Sequence, residues 1–278
     1  MVCPQREYSN IKNQNSMSTI IYPSPIFGPI HSRRLGISLG INLMPADGKV
    51  CTFDCIYCEC GLNGDHRPTL PRPAREEVAK ALEAKLIEMH EQGERPDVLT
   101  FAGNGEPTAH PQFSTIIDDT ILLRNKYCPE AKVSVLSNAT LVHRTDVREA
   151  LMRTDNPIMK LDTIDPVYID KVDRPTAHYD VKGIIEGLKL MTGKAIIQTM
   201  FLRGAIKDNA STVSVDNTGE EYVAPWLEAV KAIAPREVMI YTIDRETPVG
   251  GLEKASREQL NAIRDRVIAA GIPCTASY

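Results

Sequence analysis

The chain has 278 residues, with 32 Lys+Arg against 36 Asp+Glu for a formal net charge of −4, 42% hydrophobic residues and seven cysteines. A chain of this size buries about three quarters of the surface it exposes when unfolded, so its core needs no disulfide staples, and the mildly acidic balance argues against a protein that holds nucleic acid chiefly by charge. No apolar run approaches the roughly 18 to 20 residues of a membrane span, and no charged segment followed by an apolar stretch opens the chain, so a cytoplasmic protein without a membrane partner is expected.

Residues 1–18 are polar and lack periodicity, which predicts a disordered or loosely docked segment, and residues 19–278 read as a single domain. The stretch YPSPIFGPIHSRRLG is apolar with closely spaced proline and glycine, an extended lead-in to a first buried strand over 37–44. Short apolar runs at 98–102, 132–136, 158–162, 195–201 and 238–243 then have the composition of parallel strands buried on both faces. Between them helical spacing predicts helices over 74–91, 113–126, 145–153, 180–191, 220–233 and 256–269. The first places Val78, Leu82, Leu86 and Met89 on one face, with Glu76 and Glu77 in the first turn, where the helix dipole favours them. Gly271 and Pro273 close the last.

Strands alternating with helices imply parallel pairing through right-handed crossovers, as an open doubly wound sheet or a barrel, complete or partial. Six such units are too few for an eightfold barrel. Neither a GxGxxG after the first strand nor a P-loop occurs, which removes the common nucleotide-binding readings. In either architecture chemistry sits at the carboxyl ends of the strands. The polar stretch 204–219 is long enough to be a flap over that face or an ordered surface excursion.

Directly after the first strand comes CTFDCIYCECG, where Cys51, Cys55 and Cys58 form C-x3-C-x2-C. Structural zinc normally takes four ligands as two separated pairs, and the local fourth candidate, Cys60, lies only two residues beyond Cys58. A redox C-x-x-C could use Cys55 and Cys58 but needs no third thiolate. A four-iron cluster usually takes four cysteines, so three from one loop would leave one iron free to bind and activate a substrate.

This motif, with Tyr57 immediately before the third cysteine, resembles the signature of the radical S-adenosylmethionine (radical SAM) superfamily. The resemblance implies a partial (β/α)6 TIM-like barrel of mostly parallel strands. It implies a [4Fe-4S] cluster on Cys51, Cys55 and Cys58 that reductively cleaves S-adenosyl-L-methionine, so that a 5'-deoxyadenosyl radical abstracts hydrogen from a substrate. An electron donor such as flavodoxin or ferredoxin is implied as a partner. FAGNGEPT stands in the place of the family's Gly-Gly-Glu element, which maps Gly103, Asn104, Gly105 and Glu106 to the cosubstrate's ammonium. Ser137 and Asn138 match the position that contacts ribose or methionine carboxylate, while Lys160, Asp162, Gln198, Thr199, Tyr241 and Ile243 lie at strand positions facing the cavity or the adenine.

The run from PIFGPIHSRRLG into the cysteines is similar to the subgroup related to wyosine-forming tRNA enzymes, which makes a tRNA or modified nucleoside a candidate substrate. Those enzymes carry a second cluster on N-terminal cysteines, and here only Cys3 precedes Cys51, so a second cluster is not expected. Alternatives are an activase that installs a glycyl radical on a partner protein and, from another class, a non-catalytic zinc-binding module. Cys60, Cys128 and Cys274 read most simply as buried or free thiols, and the six histidines show no metal spacing. Arg33 and Arg34 suit a substrate carboxylate or phosphate as well as they suit a solvated pair. Lys160 and Asp162 fall on a strand buried on both faces and must be paired or functional, with Glu106 or Asp162 the expected partner of Lys160. Asp165, Asp170, Asp173 and Arg174 are expected in a solvated loop.

Overall fold

The computed structural model describes residues 19–32, 36–208 and 211–278. The expectation of disorder over 1–18 and the Arg33–Arg34 pair fall outside the described residues.

An eight-stranded sheet forms the frame. At one edge β1 (Ile26–Ser32) runs antiparallel to β2 (Gly36–Ile41). From β2 the sheet continues parallel through β3 (Val98–Phe101), β4 (Lys132–Ser137), β5 (Asn156–Lys160), β6 (Ile196–Met200), β9 (Glu237–Tyr241) and β11 (Cys274–Ser277). Its crossovers are α1 (Arg75–Glu91), α2 (Phe113–Tyr127), α3 (Thr145–Arg153), α5 (Val181–Lys189), α6 (Glu220–Ile233) and α7 (Arg257–Ala269). A short α4 (Pro166–Tyr168) and a π-helical turn, Ile169–Asp173, precede α5. All six expected helices and the six expected parallel strands are present, and β11 adds a seventh that the polar run CTAS did not suggest. Among the described residues no pairing joins β1 to β11, so the curved sheet stays open, as a partial TIM-like barrel does.

Strand residues alternate between two faces. Leu39, Ile41, Leu99, Phe101, Val133, Val135, Met159, Ile197, Val238 and Ile240 pack under the helices, where α1 contributes the anticipated Val78, Leu82, Leu86 and Met89. Ile158, Ile196 and Met239, with Leu136 against them, form a separate group on the opposite face. That second face leads upward, at the carboxyl ends, to Lys160, Gln198 and Tyr241, which follow Ile158, Ile196 and Met239 by two residues. The same alternation excludes Thr199, the neighbour of Gln198: it is fully buried and its hydroxyl donates to the Leu161 carbonyl at 2.8 Å.

The described residues of the stretch 204–219 form a surface excursion. It contributes β7 (Leu202–Asp208) and β8 (Ser211–Ser214), which form a three-stranded sheet with β10 (Leu252–Lys254). Asn217, fully buried, ties it to the strand ends, donating to the carbonyls of Met200 (2.8 Å) and Asp162 (3.1 Å) and accepting from Leu202 N–H (3.0 Å).

Candidate functional site

The cysteine loop is stitched to the carboxyl ends of the strands by backbone. Val50 bridges Gly105 in parallel register, with Val50 N–H donating to the Asn104 carbonyl at 2.9 Å. A Cβ on Gly105, at φ +142°, would lie 1.8 Å from the Val50 oxygen, so the glycine is required by the approach of this loop. On the far side, Ile56 N–H donates to Val172 O (2.9 Å) and Asp54 N–H to Asp173 O (3.0 Å), so the π-helical turn grips the loop on both sides of Cys55. Asn63 closes it from within, accepting from Cys51 N–H at 3.1 Å and donating to the carbonyls of Cys51 and Phe53. Cys51, Cys55 and Cys58 are all free thiols.

Cationic and polar donors surround these sulfurs. Asn138 Nδ2 lies 3.2 Å from Cys51 Sγ and Lys160 Nζ 3.2 Å from Cys55 Sγ. The Cys60 thiol, hydrogen-bonded to Cys58, lowers Cys58 to about 6, and Gly103 O, 3.3 Å from the same sulfur, competes for its one hydrogen. Burial pushes Cys51 up to about 11, and Cys55 is raised for the same reason. Lys49, only 3% exposed, donates to Gly61 O at 2.6 Å. Burial alone would lower it, but Cys58, Cys51, Cys55 and Asp54 outweigh that and hold it raised, hence charged. Sequence reasoning passed over Lys49, although a lysine two residues before the first cysteine is itself a signal.

Glu106 is buried at the end of β3 and braces two strand ends. Its Oε1 accepts from Thr108 N–H (3.0 Å), Thr108 Oγ1 (2.5 Å) and Ser137 Oγ (2.9 Å), and Oε2 from Asn138 N–H (2.6 Å). Burial raises it above the usual carboxylate range against the pull of those donors. A carboxylate oxygen has room for about two donors, so the spare capacity lies on Oε2. Asn104 is different: its side chain points away from the thiols, to Tyr22 N–H, Tyr22 O and Pro45 O at 2.8, 2.9 and 2.9 Å, leaving only its backbone at the site.

Lys160 forms ion pairs with Asp173 and with Asp162 (3.4 Å), not with Glu106. Asp173, expected in a solvated loop, is 3% exposed, and burial pushes it up to about 7 against the pull of Lys160. One cation faces two carboxylates there, so the second negative charge is the costly one. No periodic signal marks Asp173 because it ends a single π-helical turn that runs on from the short α4. Tyr57 donates to Asp162, and Tyr57 and Tyr241 pack with Ile56, Met200 and Ile243 beside the sulfurs. Gln198, 7% exposed, pairs in register with Lys160.

Among the described residues no three His, Cys, Asp or Glu side chains converge closely enough to hold one metal ion, as a tetrahedral zinc requires. Three thiols presented by one loop at the strand ends, with two buried lysines to offset thiolate charge, do fit a cluster whose irons are each held by a separate cysteine. No described helix is long and apolar enough to cross a membrane.

The chain is similar to several known proteins. A UPF0026 protein of Helicobacter pylori is 31% identical over 230 residues, covering 80% of this chain and 67% of that protein. A UPF0026 protein of Synechocystis sp. is 30% identical over 233 residues, 81% of this chain and 77% of its own length. Among solved structures, a radical SAM methyltransferase from Sphaerobacter thermophilus superposes with TM-score 0.61 at 13% identity, over 87% of this chain and 66% of that one. SuiB of Streptococcus suis bound to S-adenosylmethionine gives 0.59 at 16% identity, over 86% and 50%. The chain thus spans from half to about three quarters of the length of these proteins. The sequence model of the radical SAM superfamily, whose members use a [4Fe-4S] cluster and S-adenosylmethionine, matches residues 47–209. The chain belongs to the radical SAM superfamily.

Proposed function

We propose that this protein is a radical SAM enzyme in which Cys51, Cys55 and Cys58 hold a [4Fe-4S] cluster and the adjoining strand ends hold S-adenosylmethionine. The observation that carries the reading is the meeting of the three-cysteine loop with Glu106, Asn138 and Lys160 at the carboxyl ends of β3, β4 and β5. A cluster held by Cys51, Cys55 and Cys58 would supply the one electron that reductive cleavage of the cosubstrate's sulfonium bond requires.

The chain's own residues do the rest. Lys49 and Lys160 offset the charge of three thiolates in a poorly solvated pocket. Glu106 Oε2 and the backbone of Gly103, Asn104 and Gly105 receive the ammonium of the cosubstrate, which would offset the cost of a buried carboxylate. Ser137 and Asn138 orient Glu106 and face the ribose or carboxylate. Tyr57, Gln198, Tyr241 and Ile243 line the side toward the adenine and the substrate, and Asp162 orients Tyr57. The reductant is a small electron carrier of the flavodoxin or ferredoxin kind, working in the cytoplasm. A tRNA or modified nucleoside is the candidate substrate that the Ser-Arg-Arg-Leu-Gly segment supports.

Anaerobic reconstitution tests the reading. About four irons per chain, and 5'-deoxyadenosine formed from S-adenosylmethionine under reduction, are expected. Cys55→Ala should abolish the product. A fully loaded, reduced wild-type protein that forms none would refute the assignment. Hydrogen transfer into 5'-deoxyadenosine from deuterated RNA fractions then separates a nucleoside substrate from a glycyl-radical partner protein.

A further inference from the structure

Lys160 carries an inference that rests on the reading of Cys55 as a cluster ligand. Its side chain is 11% exposed and is held from several directions. Asp173 and Asp162 pair with it, and the ring centroids of Phe53 and Tyr57 lie 4.6 and 5.2 Å from Nζ. An ammonium has three N–H groups. Asp173 and Cys55 Sγ, the latter 3.2 Å away, each accept one, and Asp162, at 3.4 Å, adds its charge. A protonated thiol is a weak acceptor for so well-held a donor, whereas a metal-bound cysteine is a thiolate and a strong one.

We infer that Lys160 is a positioning residue for the cluster: it fixes the Cys55 sulfur through a charge-assisted hydrogen bond and favours the reduced state, while Asp173 opposes it. Hydrogen bonds to cluster sulfurs and nearby charge are among the determinants of cluster reduction potential. Reduction adds one negative charge beside Cys55. A cation on that sulfur lowers the cost of the added charge, and a carboxylate behind the cation raises it. The anchoring is mutual. The turn that supplies Asp173 also accepts the N–H groups of Asp54 and Ile56, so the lysine joins the end of β5, that turn and the cysteine loop at one point.

This arrangement predicts shifts of opposite sign from substitutions on the two sides of one ion pair. The measurement is an EPR-monitored redox titration of the reconstituted protein without cosubstrate, with iron content determined in parallel. In Lys160→Met the reduced-to-oxidised ratio at a fixed potential should fall about tenfold, equivalent to about 59 mV for a one-electron couple. In Lys160→Arg it should stay within about threefold of wild type, because the guanidinium keeps charge and donor. In Asp173→Asn it should rise, with the titration run above about pH 8, where the wild-type carboxylate is ionised. A lysine that serves only as packing or as a partner for Asp173 would give no shift, or shifts of one sign, and either result with intact clusters overturns the inference. Should Lys160→Met fail to hold a cluster, Asp173→Asn decides, since absence of a rise there is equally fatal. A wild-type chain that takes up no four-iron cluster sinks the functional reading and this inference together, so the iron content tells the two failures apart.

Discussion

His110 shows how a single buried group makes stability depend on pH. It lies between the end of β3 and the start of α2, 5% exposed. Its Nε2 reaches Pro73 O at 3.0 Å and its Nδ1 accepts from Gln112 N–H at 3.1 Å. That pattern requires the neutral ring with its hydrogen on Nε2, because a proton on Nδ1 would face another N–H. Burial accordingly lowers its pKa from 6.5, against the pull of the Pro73 carbonyl. With the folded value below the unfolded one, the contribution is complete above about pH 6.5 and drains away as the pH falls toward the folded value. His110→Gln keeps a donor for Pro73 but loses the acceptor for Gln112, so it should cost about 1 kcal/mol at pH 8. Between about pH 7 and 5 the gap to wild type should narrow, as read from urea midpoints. A gap constant across that range would mean that His110 titrates alike in the folded and the unfolded chain.

At the scale of elements, the lead-in segment before β1 behaves as a strap between the first and last units. Ile20 N–H donates to Glu59 O at 2.8 Å, and the Tyr22 hydroxyl donates to Glu59 (3.0 Å) and accepts from Arg245 (3.0 Å) beyond β9. Two kinds of tether hold it, and magnitudes separate them. The Glu59–Arg245 pair is 42% and 49% exposed, so solvent screens it and Arg245→Ala should change stability by less than about 1 kcal/mol. Asn104 is fully buried, and Asn104→Ala would strand the Tyr22 N–H and the buried Pro45 carbonyl, a loss of about 2 to 3 kcal/mol. Equal losses in the two variants by urea denaturation would contradict this division. The legibility of elements follows the same physics. Strands buried on both faces, such as VLTF and IIQTM, announce themselves as apolar runs, and α1 does so by its stripe. The strands β8 and β11 are short, polar and partly exposed edge strands, so pairing rather than composition makes them strands.

On the scale of the whole molecule, the candidate chemistry and the main core are separate bodies of contacts. The cysteine motif was legible because all three thiols lie within eight residues, and Glu106 because it ends an obvious strand. Lys49, Asn63 and Asp173 were not, since each acquires its role only from partners the fold delivers: the thiols, the loop backbone and Lys160. The principal core runs between the sheet and its helices, from Leu39 through Trp226 to Val267, and includes none of the three cysteines. The loop is instead held to the end of β3 and to the turn at Ile169–Asp173 by hydrogen bonds between backbone groups, none of which uses a cysteine side chain. A metal-dependent fold such as a zinc finger unfolds when stripped, because its ligand bonds replace a core. Here the apo protein should keep its helical far-UV circular dichroism and a cooperative thermal transition. Loss of the cluster should raise amide hydrogen exchange within 47–66 and 169–176 while leaving the strands β3 to β6 protected. Global unfolding on chelation, or exchange rising equally through β4 and α2, would show that the metal centre and the main core are one cooperative unit.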